Sequence, residues 1–478
     1  MIKVLFAAAE CEPFIKTGGL ADVLGSLPKN LKNRGIDTRV ILPKYKDIPE
    51  HFRMEMKHVT DFTVEIGWRK QYCGIESLEY KGITYYFVDN EYYFNRDGLY
   101  GFYDDGERYA FFCRAILEAL PQINFKPDVL HCHDWHTGPV SVLLKDKYIH
   151  NSFYENMHTF YTIHNLKYQG IFPASVLGEL LGLDNSYFTS DKLEHFGNIS
   201  YMKAGIVYSD VISTVSETYS EEIQDAYFGE GLDETLKKRK NNLYGIVNGI
   251  DYDIYDPNYD PYITSNYSKA TGKAMQNKKK LQQILNLEIR EDVPIFCIVS
   301  RLVQEKGMDL ITRVFENIIN KDVQFVVLGT GGDIYENFFK NKAMHHKNLS
   351  ANIFFDNSLA HKIYAGSDFF LMPSLFEPCG LGQLIALSYG TIPIARRTGG
   401  LNDTIFSFNE YTGIGNGFTF ANINAHDMLH TIEKGITLYE DKDKWNKLIN
   451  NAMNCDFSWN KSSEKYISLY KYLTGMKS

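Results

Sequence analysis

Pro373–Gly400, PSLFEPCGLGQLIALSYGTIPIARRTGG, decides how this chain is read. Just before it, Asp368–Met372 (DFFLM) is a short, almost unbroken apolar run, the pattern of a strand covered on both faces of a parallel sheet. Inside the stretch, Leu381–Tyr389 reads as a short helix and Ile392–Ala395 as the next strand. Strand, loop, helix, strand is the repeating unit of a doubly wound α/β domain, which takes its ligands in loops beyond the carboxyl ends of its strands. Glu377 lies in such a loop, and Cys379, Gly380 and Leu381 follow where the helix opens, offering backbone N–H groups to an anion. Taken alone, Glu377 reads as an ordinary acid near a helix N-terminus, which is favourable anyway. The rest of the chain shifts that reading.

The same rhythm runs through the second half. Pro294–Ser300 reads as a strand, followed by Arg301–Gly307 (RLVQEKG) and a helix from Met308. Gln324–Leu328 is a strand ending in Gly329-Thr330-Gly331-Gly332, and Ile392–Ala395 ends in Arg396-Arg397-Thr398-Gly399-Gly400. Arg301 and Lys306 share one strand-to-helix loop. Singly they read as surface charges; together with the glycine loops they suit a metal-free clamp for a diphosphate leaving group.

The first half opens similarly. Ile2–Ala8 is a strand and Leu20–Arg34 a helix, joined by a loop with Lys16-Thr17-Gly18-Gly19. This is neither G-x-G-x-x-G nor a P-loop, but its glycines allow close backbone approach to a ligand. Lys16 alone reads as a solvated loop lysine. Further strands are expected at Thr38–Leu42, Ile83–Val88, Val129–Cys132, Thr159–Ile163 and Val211–Val215. Leu99–Arg114 starts as an aromatic loop and runs into a helix, with Phe111 and Phe112 expected in the core. His131–His136 (HCHDWH) has zinc-type ligands, but its spacing fits no known finger and strand alternation points neighbours to opposite faces. A polar strand-end loop is the better reading. His164, at the next strand end, reads alone as a hydrogen-bonded structural histidine. From Tyr244 to about Lys280 the texture is Tyr, Asp, Asn and Pro, a linker, within which Asp251-Tyr252-Asp253 reads as turn chemistry rather than a metal-binding pair.

Composition narrows the function classes. The 478 residues suggest two or three domains, and 44% hydrophobic with 23% charged residues is ordinary for a globular chain. A formal charge of −9 argues against nucleic acid or an anionic membrane as partner. Seven scattered cysteines without a CxxC pair fit a reducing compartment, so a cytoplasmic location is expected. The opening MIKVLFAAAECEP reads as a first strand rather than a signal peptide, and no run approaches the ~20 apolar residues of a spanning helix.

Seven segments in order carry a family resemblance: Lys16–Val23 (KTGGLADV), His133–His136 (HDWH), Thr162–Phe172 (TIHNLKYQGIF), Asn248–Asp251 (NGID), Ser300–Gly307 (SRLVQEKG), Pro373–Leu381 (PSLFEPCGL) and Arg396–Leu401 (RRTGGL). Together they closely resemble the bacterial glycogen synthase and plant starch synthase family. The resemblance implies an α/β chain of GT-B fold, two doubly wound Rossmann-like domains facing a deep interdomain cleft. Residues 1–245 would form an acceptor-binding domain, completed by a helix at about 457–478, and residues 246–456 a nucleotide-sugar domain. The implied reaction is retaining transfer of glucose from ADP-glucose to the non-reducing end of an α-1,4-glucan, with no cofactor and no metal.

By the same resemblance, Arg301 and Lys306 would neutralise the diphosphate, and Lys16, Gly18 and Gly19 would approach it. Amides of Cys379, Gly380 and Leu381, with Thr398, would orient glucose and phosphate. Glu377 would bind a sugar hydroxyl, His164 would contact glucose near its anomeric carbon, and Asp134 and Asn248 would complete the pocket. Phe355 would lie near the base, and Tyr103, Trp135 and His136 on the acceptor side. Two departures stand out: Gly382 where some members carry Thr, and Phe355 where some carry Tyr. The competing classes are another retaining GT-B transferase, using a different acceptor or UDP-glucose, and a non-catalytic sugar-binding protein, which would need no diphosphate clamp.

Overall fold

The computed structural model describes residues 1–269 and 271–476. The chain divides into two compact units, residues 1–248 with 459–476, and residues 249–458. The break falls inside the polar stretch that begins at Tyr244.

In the first unit, nine strands lie in the spatial order Leu243–Gly245, Val211–Thr214, His158–Ile163, Val129–His133, Lys3–Ala7, Asp37–Pro43, Ile83–Asp89, Arg69–Tyr80 and Lys57–Ile66. The first seven pair in parallel. Val129–His133 and Val211–Thr214 are buried at every position, as a two-sided cover demands. The expected strands are therefore present. The antiparallel hairpin Lys57–Tyr80 at one edge has no counterpart among the expected strands, because about half of its residues face water and its charges mask the alternation. The helix Gly19–Asn33 buries Leu20, Val23, Leu24, Leu27 and Leu31, an i, i+3, i+4, i+7 stripe laid on the sheet. The last helix, Trp459–Leu473, also packs here, with Tyr466 and Tyr470 fully buried.

The second unit holds six parallel strands in the order Leu349–Asn352, Gln324–Leu328, Ile295–Val299, Phe369–Met372, Ile392–Arg396 and Phe418–Phe420. Counted along the chain this is 3-2-1-4-5-6, the doubly wound order, and it reverses between Ile295–Val299 and Phe369–Met372. The parallel strands of the first unit reverse likewise, between Lys3–Ala7 and Val129–His133. At such a reversal the following helices diverge to opposite faces and leave a crevice beyond the strand ends. The loops carrying Arg301 and Glu377 flank one reversal; those carrying Lys16 and Asp134 flank the other. Among the described residues, no helix is long and apolar enough to cross a membrane.

Phe369 anchors the second core. Its ring stacks on Phe296 at 4.6 Å and 11° and packs on Trp445 at 4.9 Å. Phe369→Ala should cost about 3–5 kcal/mol, read as a lower denaturant midpoint for the second unit.

Candidate active site

At the reversal of the second unit, the loop after Ile295–Val299 and the loop after Phe369–Met372 are tied together. Lys306 Nζ lies 2.6 Å from Glu377 Oε2, and the same oxygen accepts the Ser374 hydroxyl at 2.9 Å. Glu377 is buried and Lys306 half-buried. The backbone reinforces the tie, since Leu375 N–H donates to the Glu305 carbonyl at 2.8 Å. Gly307 makes the approach possible: it has φ +75°, and a Cβ there would stand 2.0 Å from the Pro373 carbonyl oxygen. Arg396, buried at the end of Ile392–Arg396, donates Nε–H to Ser374 O at 2.9 Å and Nη2–H to Leu375 O. Gly400 N–H donates to Glu377 O at 3.1 Å. Arg301 stays exposed, its guanidinium 3.9 Å from Glu305. A cation-bearing loop and an acid-bearing loop are thus fixed against each other, with one mobile-stemmed cation left in water.

Cys379 and Thr398 are buried nearby, whereas Phe355 is 86% exposed on a separate loop. Gly382 opens the helix Gly382–Ser388, and a Cβ there would meet the Phe370 ring at 2.9 Å. A threonine at this position has no room unless Phe370 moves.

At the reversal of the first unit, Glu10 leaves the strand Lys3–Ala7 and turns inward. Its carboxylate accepts Thr17 N–H at 2.5 Å, the Thr17 hydroxyl at 2.8 Å and Gly18 N–H, which fixes the glycine loop. Lys16, exposed, pairs with Asp22 at 2.6 Å. Asp134 sits in left-handed backbone (φ 54°) and accepts His164 N–H at 2.7 Å and Asn165 N–H at 3.4 Å. His164 Nε2 lies 2.9 Å from His133 Nδ1. Burial dominates the electrostatics: it raises the Glu10 carboxyl against its hydrogen bonds to Thr17, pushes Asp134 up to about 7, and lowers His164 to about 3. Asn248 is buried, and its Oδ1 has no partner among the described residues.

The structure separates the three acceptor-side candidates. Tyr103 is 94% exposed. Trp135 and His136 are buried in an aromatic cluster, Trp135 against Tyr109 at 4.9 Å and Phe172 at 5.8 Å, His136 against Tyr100 at 4.6 Å. Both back the Asp134 loop and present little surface of their own. Asp251 Oδ1 accepts Asp253 N–H at 2.9 Å, an Asx turn. Glu10, Ser374, Arg396 and His133 have parts in the sequence reading only as an interrupting charge or as letters of a motif. Glu10 was findable as a polar residue at the end of the first strand. The others act through contacts that no spacing shows.

Two doubly wound units with polar loops at both reversals suit a nucleotide-dependent transfer enzyme, and the matches over each unit narrow this. Residues 3–238 match the family model described as starch synthase catalytic domain, and residues 279–454 that of glycosyl transferases group 1. The class is therefore that of glycosyltransferases with the GT-B fold. The chain is 57% identical over 474 residues to a glycogen synthase of Desulforamulus reducens, covering 99% of each, and 54% identical to that of Geobacillus stearothermophilus, covering 99% and 98%. It superposes with TM-score 0.92 on the catalytic domain of starch synthase IV from Arabidopsis thaliana bound to ADP and acarbose, 33% identical with 99% of each chain covered. A sucrose-phosphate synthase from Thermosynechococcus elongatus, 14% identical with TM-score 0.63 over 99% and 100% of the chains, shares the fold. The chain belongs to the bacterial glycogen synthase and plant starch synthase family.

A carboxyl raised to about 7 in the fold, against about 3.9 unfolded, keeps its proton in the native state, so its contribution to stability is lost as pH rises through that window. Asp134→Asn removes this titration. Between about pH 4 and about pH 7 its calorimetric unfolding temperature should fall less than that of the unaltered chain; an equal fall would show that Asp134 is ionised throughout.

Proposed function

We propose that this protein transfers glucose from ADP-glucose to the non-reducing end of an α-1,4-glucan, with retained anomeric configuration and release of ADP. The observation that carries the proposal is the Lys306–Glu377 pair beside Arg301 at a doubly wound reversal, in a chain aligned end to end with glycogen synthases. The ADP and acarbose of the starch synthase IV structure support a nucleotide-sugar donor and a glucan acceptor.

In this reading, the bond from glucose C1 to the diphosphate oxygen breaks and its electron pair leaves with ADP. Arg301 and Lys306 would neutralise that charge, with Lys16 and the Gly18–Gly19 amides supporting it, and the amides of Cys379, Gly380 and Leu381 with Thr398 would hold phosphate and sugar. The acceptor hydroxyl oxygen bonds to C1 on the face that ADP leaves, and its proton passes to the departing phosphate. Glu377 would bind a sugar hydroxyl, with Asp134, Asn248 and neutral His164 completing the glucose pocket. Phe355 would stack near the base. Tyr103 is the acceptor-side candidate with open surface; Trp135 and His136 would serve as its wall. No cofactor or metal enters the scheme, and the reaction would take place in the cytoplasm.

Glucose incorporation into glycogen is expected from ADP-glucose above UDP-glucose and undiminished by EDTA. Arg301→Ala and Lys306→Ala should each lower kcat roughly 10²–10³-fold while glycogen co-sedimentation persists. Unaltered turnover in both variants would remove the clamp, and incorporation lost to EDTA would remove the metal-free scheme.

A further inference from the structure

His133 has no part in the scheme above, yet it touches His164, which does. It ends the strand Val129–His133, fully buried, its backbone N–H held by Thr137 Oγ1 at 2.7 Å. Strand alternation puts it on the same face as His131, and the two rings stack at 4.2 Å and 26°. Phe6 lies on it at 5.8 Å and 22°. Phe6 also contacts His131, at 4.8 Å, so both rings lie to one side of His133; packed against them in the core, its ring has little freedom to turn. Its Nδ1 lies 2.9 Å from His164 Nε2, and its Nε2 has no partner among the described residues.

Burial holds both imidazoles neutral, His133 well below its usual range and His164 at about 3. Two neutral rings in nitrogen-to-nitrogen contact share one hydrogen, so two arrangements exist. If His164 donates from Nε2, the hydrogen of His133 is forced onto its own Nε2, a buried N–H with no acceptor. If His133 donates from Nδ1, what remains unpaired is a lone pair, which is tolerated better than an orphaned N–H. The second arrangement also leaves the hydrogen of His164 on Nδ1, the nitrogen not tied to His133.

We propose that His133 is a positioning residue that sets the tautomer of His164, donating Nδ1–H to its Nε2 so that His164 presents Nδ1–H as a donor to a hydroxyl oxygen of the transferred sugar. The inference rests on the reading of His164 as a sugar contact. It adds a specificity rule: the sugar atom facing His164 must accept, so a donor sugar lacking that oxygen leaves a buried N–H unpaired and should be discriminated against.

The test uses the whole chain labelled with [15N]histidine. Long-range proton–nitrogen correlations should show His164 with a protonated Nδ1 and a bare Nε2; the reverse pattern overturns the proposal, whatever the variants do. In kinetics, His133→Phe keeps the stack and volume but removes the donor, and should lower kcat roughly ten- to a hundredfold with donor KM little changed. His133→Asn, whose amide N–H stands near the lost Nδ1–H, should recover most of that loss. In a His164→Ala background His133→Phe should cause no further loss, and an undiminished further loss would mark His133 as merely structural, overturning the proposal. Wild-type turnover in His164→Ala would overturn the reading of His164 itself. A crippled His164→Ala with the hydrogen on His164 Nε2 would overturn the tautomer assignment alone.

Discussion

The pairing of Lys306 with Glu377 is the constraint on which the second unit's site depends. A carboxylate this buried is tolerated because a cation stands 2.6 Å away and a hydroxyl supplies a second bond. Removing either partner strands the other charge in a poor solvent. The pair also does geometric work. It joins two loops that leave neighbouring, paired strands on either side of the reversal, where the helices that follow part to opposite faces of the sheet. The Glu305–Leu375 backbone bond and the buried Arg396 then lock the register of that join. Charge placed before any ligand arrives needs no reorganisation when charge develops, which is where such sites gain most of their effect.

The overall charge of −9 does not work against a diphosphate here. Surplus acids spread over the surface are screened beyond about 8 Å at physiological salt, whereas Arg301 and Lys306 act at contact distance. The first unit is built on the opposite plan. Its polar centre holds Glu10, Asp134 and His164, and burial drives all three towards their neutral forms. Neutral groups recognise by hydrogen-bond direction rather than by charge. One unit thus offers oriented donors and acceptors, and the other offers cations.

Much of this was legible in the sequence because the information was local. Buried parallel strands are continuous apolar runs, and DFFLM, KVLFA and QFVVL declare themselves. Residues at strand ends follow from there, which puts Arg301, Lys306, Glu377, Asp134 and His164 in strand-end loops; the roles given to them come with the family resemblance. The edge hairpin Lys57–Tyr80 escaped, since a strand with one wet face carries half the signal. Depth escaped too. Trp135 and His136 share a motif with Asp134, but the chain turns through a short 3-10 helix there and sends both rings into the core. Identity at a strand end says which chemistry is available; it does not say which way the next two side chains point.

Burying histidines at 131, 133, 136 and 164 is costly for a fold unless each neutral ring has a use. His131 has one that is plainly architectural. Its Nδ1 meets the Tyr470 hydroxyl at 2.7 Å and its Nε2 the Thr162 hydroxyl at 2.6 Å, and Thr162 continues to Ser213 at 2.8 Å. The final helix is thereby pinned, through one imidazole, to two central strands of the first sheet. Fully satisfied at both nitrogens, His131 is the rigid plate on which the next histidine stacks. A polar network of this kind specifies a single arrangement because any shift leaves a buried group unpaired. The order it imposes runs from the last helix of the chain to the strand end where His164 stands, so a residue near position 470 can govern the geometry of a site more than three hundred residues earlier.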